Sequence, residues 1–287
     1  MNHTGKTFSL WSKFGALNSK PVFDAFQMGA NRLGYKCIHN SLSADVHVIW
    51  SVLLRGRMQG NLEIWNRAKQ QNKNIIVLEV GAFARGHTWK MAVNGITGSA
   101  CYGTYDIDES RISKLKLSLK PWHHKQGAIL IAGQHRSSMQ WDSPLHMDAW
   151  VNNTIVEIRK YSNQNIIIRP HPRCPIDKKH IKHHKNITLQ QPVKLKDTYD
   201  DYDFDLTNIS TVVNYSSNPG TLAAIAGVPI FVNKKSLAWP VSNQTFEHIE
   251  QPIHPDREEW LKKISFTEWT ADEISTGYPL SRLISYL

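Results

Sequence analysis

Residues Thr211-Val-Val-Asn-Tyr-Ser-Ser-Asn-Pro-Gly-Thr-Leu-Ala-Ala-Ile-Ala-Gly-Val-Pro-Ile-Phe-Val232 pass from an apolar run through a Ser/Gly/Thr-rich turn, a small-residue stretch and a second apolar run. The pattern predicts strands over 211–214 and 229–232 and a helix over 221–226. A strand that feeds a helix and returns as a strand is the building unit of a parallel α/β sheet. The turn also carries chemistry. N–H groups at a helix start, with the hydroxyls of Ser216, Ser217 and Thr221 around Gly220, form an anion cradle. An ordinary capped helix start is the alternative. No Gly-Lys-Ser/Thr follows and no G-x-G-x-x-G is present, so neither a Walker loop nor a dinucleotide fingerprint applies.

Working outward, Ile166-Ile-Ile-Arg-Pro-His-Pro172 reads as a buried strand over 165–169 with Arg169 and His171 at its carboxyl end. Two prolines remove backbone donors there, so side chains must make the polar contacts. A guanidinium and an imidazole suit a phosphate; the alternative is that Arg169 pairs with a carboxylate and His171 caps a loop. Strands over 128–132 and 187–189 and a helix over 145–161 complete this second series. The first half repeats the alternation. Strands are predicted over 7–11, 35–39, 45–54 and 74–80, with helices over 21–33 and 62–71. Residues 81–105 are Gly-rich and irregular, and 106–126 read as a polar linker. The expected fold class is α/β, two Rossmann-like domains facing a central cleft, with ligands beyond the carboxyl ends of the strands. Domain boundaries are expected at 1–120, 121–265 and a C-terminal helical segment, 266–287, packing back on the first domain.

Composition bounds the function. The chain has 287 residues and a net charge of +10. Residues 1–120 hold 16 Lys+Arg and 7 Asp+Glu, against 18 and 17 in the remainder. A basic half joined to a neutral half points to a polyanion or anionic surface meeting the first half; a generally basic surface is the alternative. A mean hydropathy of −0.40 and no apolar run near 18 residues exclude a spanning helix. The N-terminus lacks the features of a secretory signal. Cys37, Cys101 and Cys174 are too few and too scattered for a disulfide framework, so a reducing, cytoplasmic setting is expected.

Other features are less specific. Leu78-Glu-Val-Gly81 ends a strand with a carboxylate, making Glu79 a candidate general base with Asp45, Asp106 and Asp108 as rivals. Gly15-Ala-Leu-Asn-Ser-Lys-Pro21 is a second strand-to-helix turn. His180, His183 and His184 lie among lysines, which favours a solvated basic face over a zinc site. The acidic group Asp200, Asp201, Asp203 and Asp205 reads as a solvated loop.

These motifs, with Trp239-Pro-Val-Ser-Asn243, Pro255-Asp-Arg-Glu-Glu-Trp260, Glu268-Trp-Thr-Ala-Asp-Glu-Ile-Ser-Thr-Gly277 and Asn94-Gly95, resemble the GT-B glycosyltransferases. The likeness is to capsule-polysaccharide-type transferases and small phage-encoded proteins of that fold, over about residues 75–280. It implies a nucleotide-sugar co-substrate, UDP-glucose first, with no tightly bound cofactor or metal. Arg169, His171, Ser216, Ser217, Gly220 and Thr221 would then contact the donor diphosphate, Gln134 the nucleotide or sugar. Glu79 would serve as base, with His171 beside it among the catalytic groups. The basic first half makes double-stranded phage DNA the expected acceptor, at a hydroxymethylated pyrimidine such as hydroxymethylcytosine, in the host cytoplasm. Lys13, Asn18, Lys20, Arg55, Arg57, Arg85 and Lys90 would line that acceptor. A capsule or surface polysaccharide is the alternative acceptor. A DNA-binding protein without catalysis and a sugar-nucleotide epimerase are the alternatives outside transfer.

Overall fold

The computed structural model describes residues 5–103, 109–124, 126–181, 185–198 and 201–287. The chain divides into two compact units, one of Met1–Leu115, Ser137–Met139 and Lys262–Leu287, the other of Lys116–Arg136 and Gln140–Leu261.

In the first unit the strands are β1 (Thr7–Leu10), β2 (Lys36–His39), β3 (Val46–Trp50), β4 (Asn74–Val80) and β5 (Trp89–Val93). They lie in the order β5-β4-β3-β1-β2. β1 to β4 are parallel; β5 is antiparallel to β4, pairing Glu79 with Lys90. The parallel-sheet expectation therefore stops at β4, and the stretch read as irregular contains a fully buried strand. Helices α1 (Lys20–Arg32) and α2 (Gly60–Gln70) cover the sheet. Val22, Phe23, Phe26 and Ala30 of α1 recur at helical spacing and pack on Phe8, Leu10 and Trp50. On the other face Ile64 and Ala68 of α2 meet Ile49, Ile75 and Val77. Helix α3 (Ser110–Lys114) lies inside the stretch read as a linker, and its Arg111 is buried.

The second unit is a five-stranded parallel sheet. Its strands are β6 (Ala128–Ala132), β7 (Ile166–Arg169), β8 (Ile187–Leu189), β9 (Ile209–Asn214) and β10 (Ile230–Val232), in the order β10-β9-β6-β7-β8. Helix α4 (Met147–Ile158) buries Val151, Ile155 and Ile158 against Ile129, Ile131, Ile166 and Ile168. Helix α5 (Asn218–Ile225) starts three residues before the sequence expectation, because Pro219 fits the first turn, where no N–H is needed. Residues before β6 are pinned by backbone bonds from Lys120 to Ile225 and His123 to Gly227.

After α6 (Glu258–Ser265) the chain completes the first unit. Strand β11 (Glu268–Trp269) pairs antiparallel with β5, and α7 (Ala271–Ser275) and α8 (Tyr278–Ser281) pack beside α1. Thr270 and Glu273 close a capping box on α7. Arg111 donates to Glu273 and to the Glu268 carbonyl, its guanidinium 4.1 Å from the Trp269 ring centroid. Glu268 itself is 0% exposed. Its carboxylate accepts from Ala82 N (2.6 Å), Phe83 N (3.1 Å) and Thr88 Oγ1 (2.9 Å). A Cβ on Gly81 would lie 2.2 Å from Glu268 Oε2, so only glycine lets the turn after β4 wrap this carboxylate. Lys90, only 4% exposed, stands opposite Glu268 and Glu79 across neighbouring strands. Burial depresses its pKa while Glu268 and then Glu79 oppose the shift.

Replacing Glu268 by Gln leaves the Lys90 charge buried with weakened compensation, which costs about 3 kcal/mol or more. Urea unfolding of E268Q is expected to show that loss, and the double variant E268Q/K90M to regain part of it; equal stability of E268Q and wild type would contradict the pairing. Buried His47 gives a pH signature. Trp11 Nε1 donates to its Nδ1 at 3.1 Å, so a proton there would set donor against donor. Burial, helped by Lys73, lowers its pKa from 6.5 to about 4. Between those values the unfolded chain binds the extra proton, so the contribution is complete above about pH 6.5 and fades as pH falls towards 4, by about 1.4 kcal/mol per unit. Stability curves of wild type and H47Q should diverge with that slope over this window and run parallel above it.

Candidate functional site

In the second unit the chain builds outward from β6, to β7 and β8 on one side and to β9 and β10 on the other. The strand order reverses between β6 and β9, and in open α/β sheets ligands bind outside the carboxyl ends at that point. Gln134 leaves β6 there and Ser216 leaves β9. Gln134 Oε1 accepts from Ser216 N (3.1 Å) and Oγ (3.2 Å), while its Nε2 is buried with no hydrogen-bond partner. The side chain is 2% exposed. A buried amide donor left unmade is costly, and such groups stand out where a partner belongs.

Asn214, the last residue of β9, ties the corner together. Its Nδ2 donates to the Ala132 carbonyl and to Ser217 Oγ, both at 2.9 Å. Ser217 is the N-cap residue of α5, yet its side chain makes no capping bond; Pro219 brings no N–H to the first turn, and Gly220 N reaches the Ser217 carbonyl at 3.3 Å. Gly220 and Thr221, expected beside the donor diphosphate, also have a packing role. A Cβ on Gly220 would sit 2.8 Å from Val232 Cγ1, and Thr221 is buried, so both serve the packing of α5 on the strands.

At the end of β7, Arg169 donates to the Asp203 main-chain carbonyl and stands 3.5 Å from the Asp203 carboxylate, over the Phe204 ring. Burial lowers its pKa while Asp203 opposes the shift. Of the two readings of Arg169, carboxylate pairing is the one present. Asp203 also accepts from Val193 N at 2.7 Å, so this part of the acidic group is structural rather than a solvated loop; Asp200 lies outside the described residues. His171 Nδ1 accepts from Arg173 N at 3.1 Å, which places the proton of the neutral ring on Nε2. The ring meets His135 edge-on at 5.2 Å. Sequence reasoning missed His135, although its place next to Gln134 after an apolar strand was a usable signal.

In the first unit Glu79 Oε2 accepts from Ser51 Oγ at 2.6 Å and Oε1 from Val80 N at 2.9 Å. Ser51 holds φ at +64°, a left-handed conformation that a serine adopts only when its surroundings impose it. The cations expected along an acceptor surface are less uniform than the sequence implied. Lys90 is buried in β5 and is removed from that set. Lys20 pairs with Asp24 at 2.6 Å, and Lys13 lies over the Trp11 and Phe14 rings. Arg55 and Arg57 are exposed, Arg85 is half-buried, and Asn18 is half-buried with its Oδ1 unpartnered. Asp45 accepts from Thr7 N at 2.7 Å; its rivals Asp106 and Asp108 lie outside the described residues. His180 sits 3.3 Å from Asp148, and His183 and His184 lie outside the described residues. Among the described residues no group of three His, Cys, Asp or Glu could hold one metal ion, and no helix is long and apolar enough to cross a membrane.

No family model matches the chain, and no curated protein matches it in sequence. Solved structures do match. One is the KpsC β-Kdo 2,7 transferase of Thermosulfurimonas dismutans, at 14% identity and a TM-score of 0.55, covering 97% of this chain and 99% of that one. Another is the KpsC β-Kdo 2,4 transferase of the same organism, at 12% identity and a TM-score of 0.55, covering 92% and 91%. With two sheet-containing α/β units and a match over nearly its whole length, the chain has a GT-B-like fold similar to that of these capsule-polysaccharide transferases.

Proposed function

We propose that the protein is a glycosyltransferase that moves a sugar from a nucleotide-sugar donor to a hydroxyl of a saccharide acceptor, of capsule or surface-glycan type. One observation carries the donor half of this reading. At the switch point of the second sheet, a buried Gln134 with an unused N–H donor meets Ser216, just ahead of the start of α5. These neutral donors suit the phosphates of a nucleotide. In the reaction the acceptor oxygen bonds to the anomeric carbon as that carbon's bond to the phosphate oxygen breaks. The electron pair leaves with the nucleotide, and the donors around Gln134 and α5 stabilise the charge that develops on it. The acceptor proton passes to a base, for which Glu79, oriented by Ser51, is the proposed residue.

The saccharide acceptor is favoured over hydroxymethylated DNA on two grounds. Both structural likenesses are named as Kdo transferases. Of the cations expected to meet DNA, Lys90 is buried and Lys20 is already paired.

The test offers labelled nucleotide-activated Kdo and UDP-glucose, separately, with an oligosaccharide primer, a hydroxymethylcytosine duplex or an unmodified duplex. Label is expected in the oligosaccharide. Q134A should lower the yield about tenfold through loss of a charge-assisted hydrogen bond, and E79Q should lower it further without weakening nucleotide binding. Label in the hydroxymethylated duplex alone would replace the acceptor. No transfer together with no rise in Tm on adding any nucleotide would overturn the reading.

A further inference from the structure

Beside the Gln134–Ser216 contact stands a group of rings that the phosphate reading leaves unused. Trp141 and Tyr215 approach to 4.6 Å between centroids, at 55°. Trp150, from α4, meets both edge-on at 5.7 and 6.2 Å. Trp141 belongs to the connection leaving the carboxyl end of β6, and Tyr215 directly follows β9 and precedes Ser216. The rings therefore stand at the same switch point as the cradle.

The loop that carries Trp141 is held in place residue by residue. Ser216 Oγ is 3.3 Å from the Gln140 carbonyl, the Tyr215 hydroxyl donates to Asp142 Oδ1 at 2.5 Å, and Lys235 pairs with Asp142 Oδ2. Trp141 Nε1 donates to the Leu145 carbonyl at 3.0 Å. Burial and then the Asp142 contact raise the Tyr215 pKa, so its hydroxyl keeps its proton as a donor in the latch. A mere connection needs no such bracing. The indole itself packs against the second unit's core yet stays half-buried, whereas Trp11, Trp50, Trp89, Trp260 and Trp269 are fully enclosed. A rigid, half-exposed ring beside a phosphate cradle offers a planar ligand a stacking surface at little cost in ordering.

We propose that Trp141, backed by Tyr215, is the platform on which the base of the donor nucleotide stacks, with Asp142 and Lys235 at its rim to meet the base edge. This rests on the nucleotide-sugar reading above and adds to it the part of the donor that the Gln134–Ser216 corner cannot distinguish. Phosphate contacts alone hold any phosphorylated sugar; a heteroaromatic ring is required to use Trp141.

Calorimetric titration of the full chain with cytidine 5′-monophosphate, uridine 5′-monophosphate and base-free ribose 5-phosphate separates the two ideas. Wild type is expected to bind the nucleotides more tightly than ribose 5-phosphate. W141L should lose about tenfold in nucleotide affinity, the scale of removing one aromatic stacking partner, with ribose 5-phosphate affinity unchanged. W141F, which keeps a ring and guards against a folding artefact, should restore most of the loss. Equal nucleotide binding by W141L and wild type would overturn the platform. So would equal affinity of wild type for nucleotides and ribose 5-phosphate, which leaves the phosphate cradle standing. A wild type that binds none of the three would overturn the cradle together with the platform.

Discussion

The first unit depends on one buried carboxylate. Glu268 closes the sheet from the far end of the chain, and three donors from the turn after β4 converge on it. An isolated ionised carboxylate in an apolar interior is prohibitively costly, so Glu268 requires those donors and Lys90 together. Lys90 in turn requires a strand on each side supplying a carboxylate, which is why β5 and β11 run where they do. The same row ends at Glu79, whose other neighbour is the strained Ser51. The position of the proposed base is thus set by packing begun by residues nearly two hundred positions away.

The second unit joins its central strand ends through neutral groups. Its switch point is held by amides and hydroxyls: Asn214 to Ala132 and Ser217, Ser216 to Gln134. Each bond joins the end of one strand to the end of its neighbour or to the start of α5, so the strands' register fixes the site. Among the buried side-chain atoms of the described residues, the Nε2 of Gln134 and the Oδ1 of Asn214 are the ones left over in this corner. Arg169, the obvious cation, is already spent on the segment around Asp203, and this keeps the acidic segment folded against the end of β7.

Much of this was legible in the sequence where the signal is local. The strands 74–80 and 128–132 stand where apolar runs placed them, because strands buried on both faces read as continuous hydrophobic stretches, and the half-buried edge strand 187–189 also stands where expected. Gln134, His171 and the Ser216–Ser217 turn were singled out by their position after such strands, and that position is where the structure has them. What escaped was decided by partners distant in sequence. β5 was hidden by Lys90, a residue that belongs in a buried strand only when Glu79 and Glu268 flank it. For the same reason Lys90 looked like a surface cation, and the carboxylate pairing left open for Arg169 could not be assigned to Asp203. The start of α5 was placed three residues too late; with Pro219 in the first turn, Thr221 is a buried residue within the helix.

The two corners differ in a way that bears on substrate. A site built on exposed cations binds through released counterions and weakens steeply with salt. One built on a helix N-terminus, amide N–H groups and hydroxyls holds an anion by aligned dipoles at short range, and most of that interaction is shielded from the solvent ions. The corner proposed for the donor is of the latter kind, which suits the proposed small ligand whose phosphates must be placed rather than merely attracted. In the first unit the cations thin out on inspection, since Lys90 is internal and Lys20 is paired, while an oriented carboxylate remains at the strand ends. These are the features that favour the proposed saccharide hydroxyl over the polyanionic duplex that the bare charge count had implied.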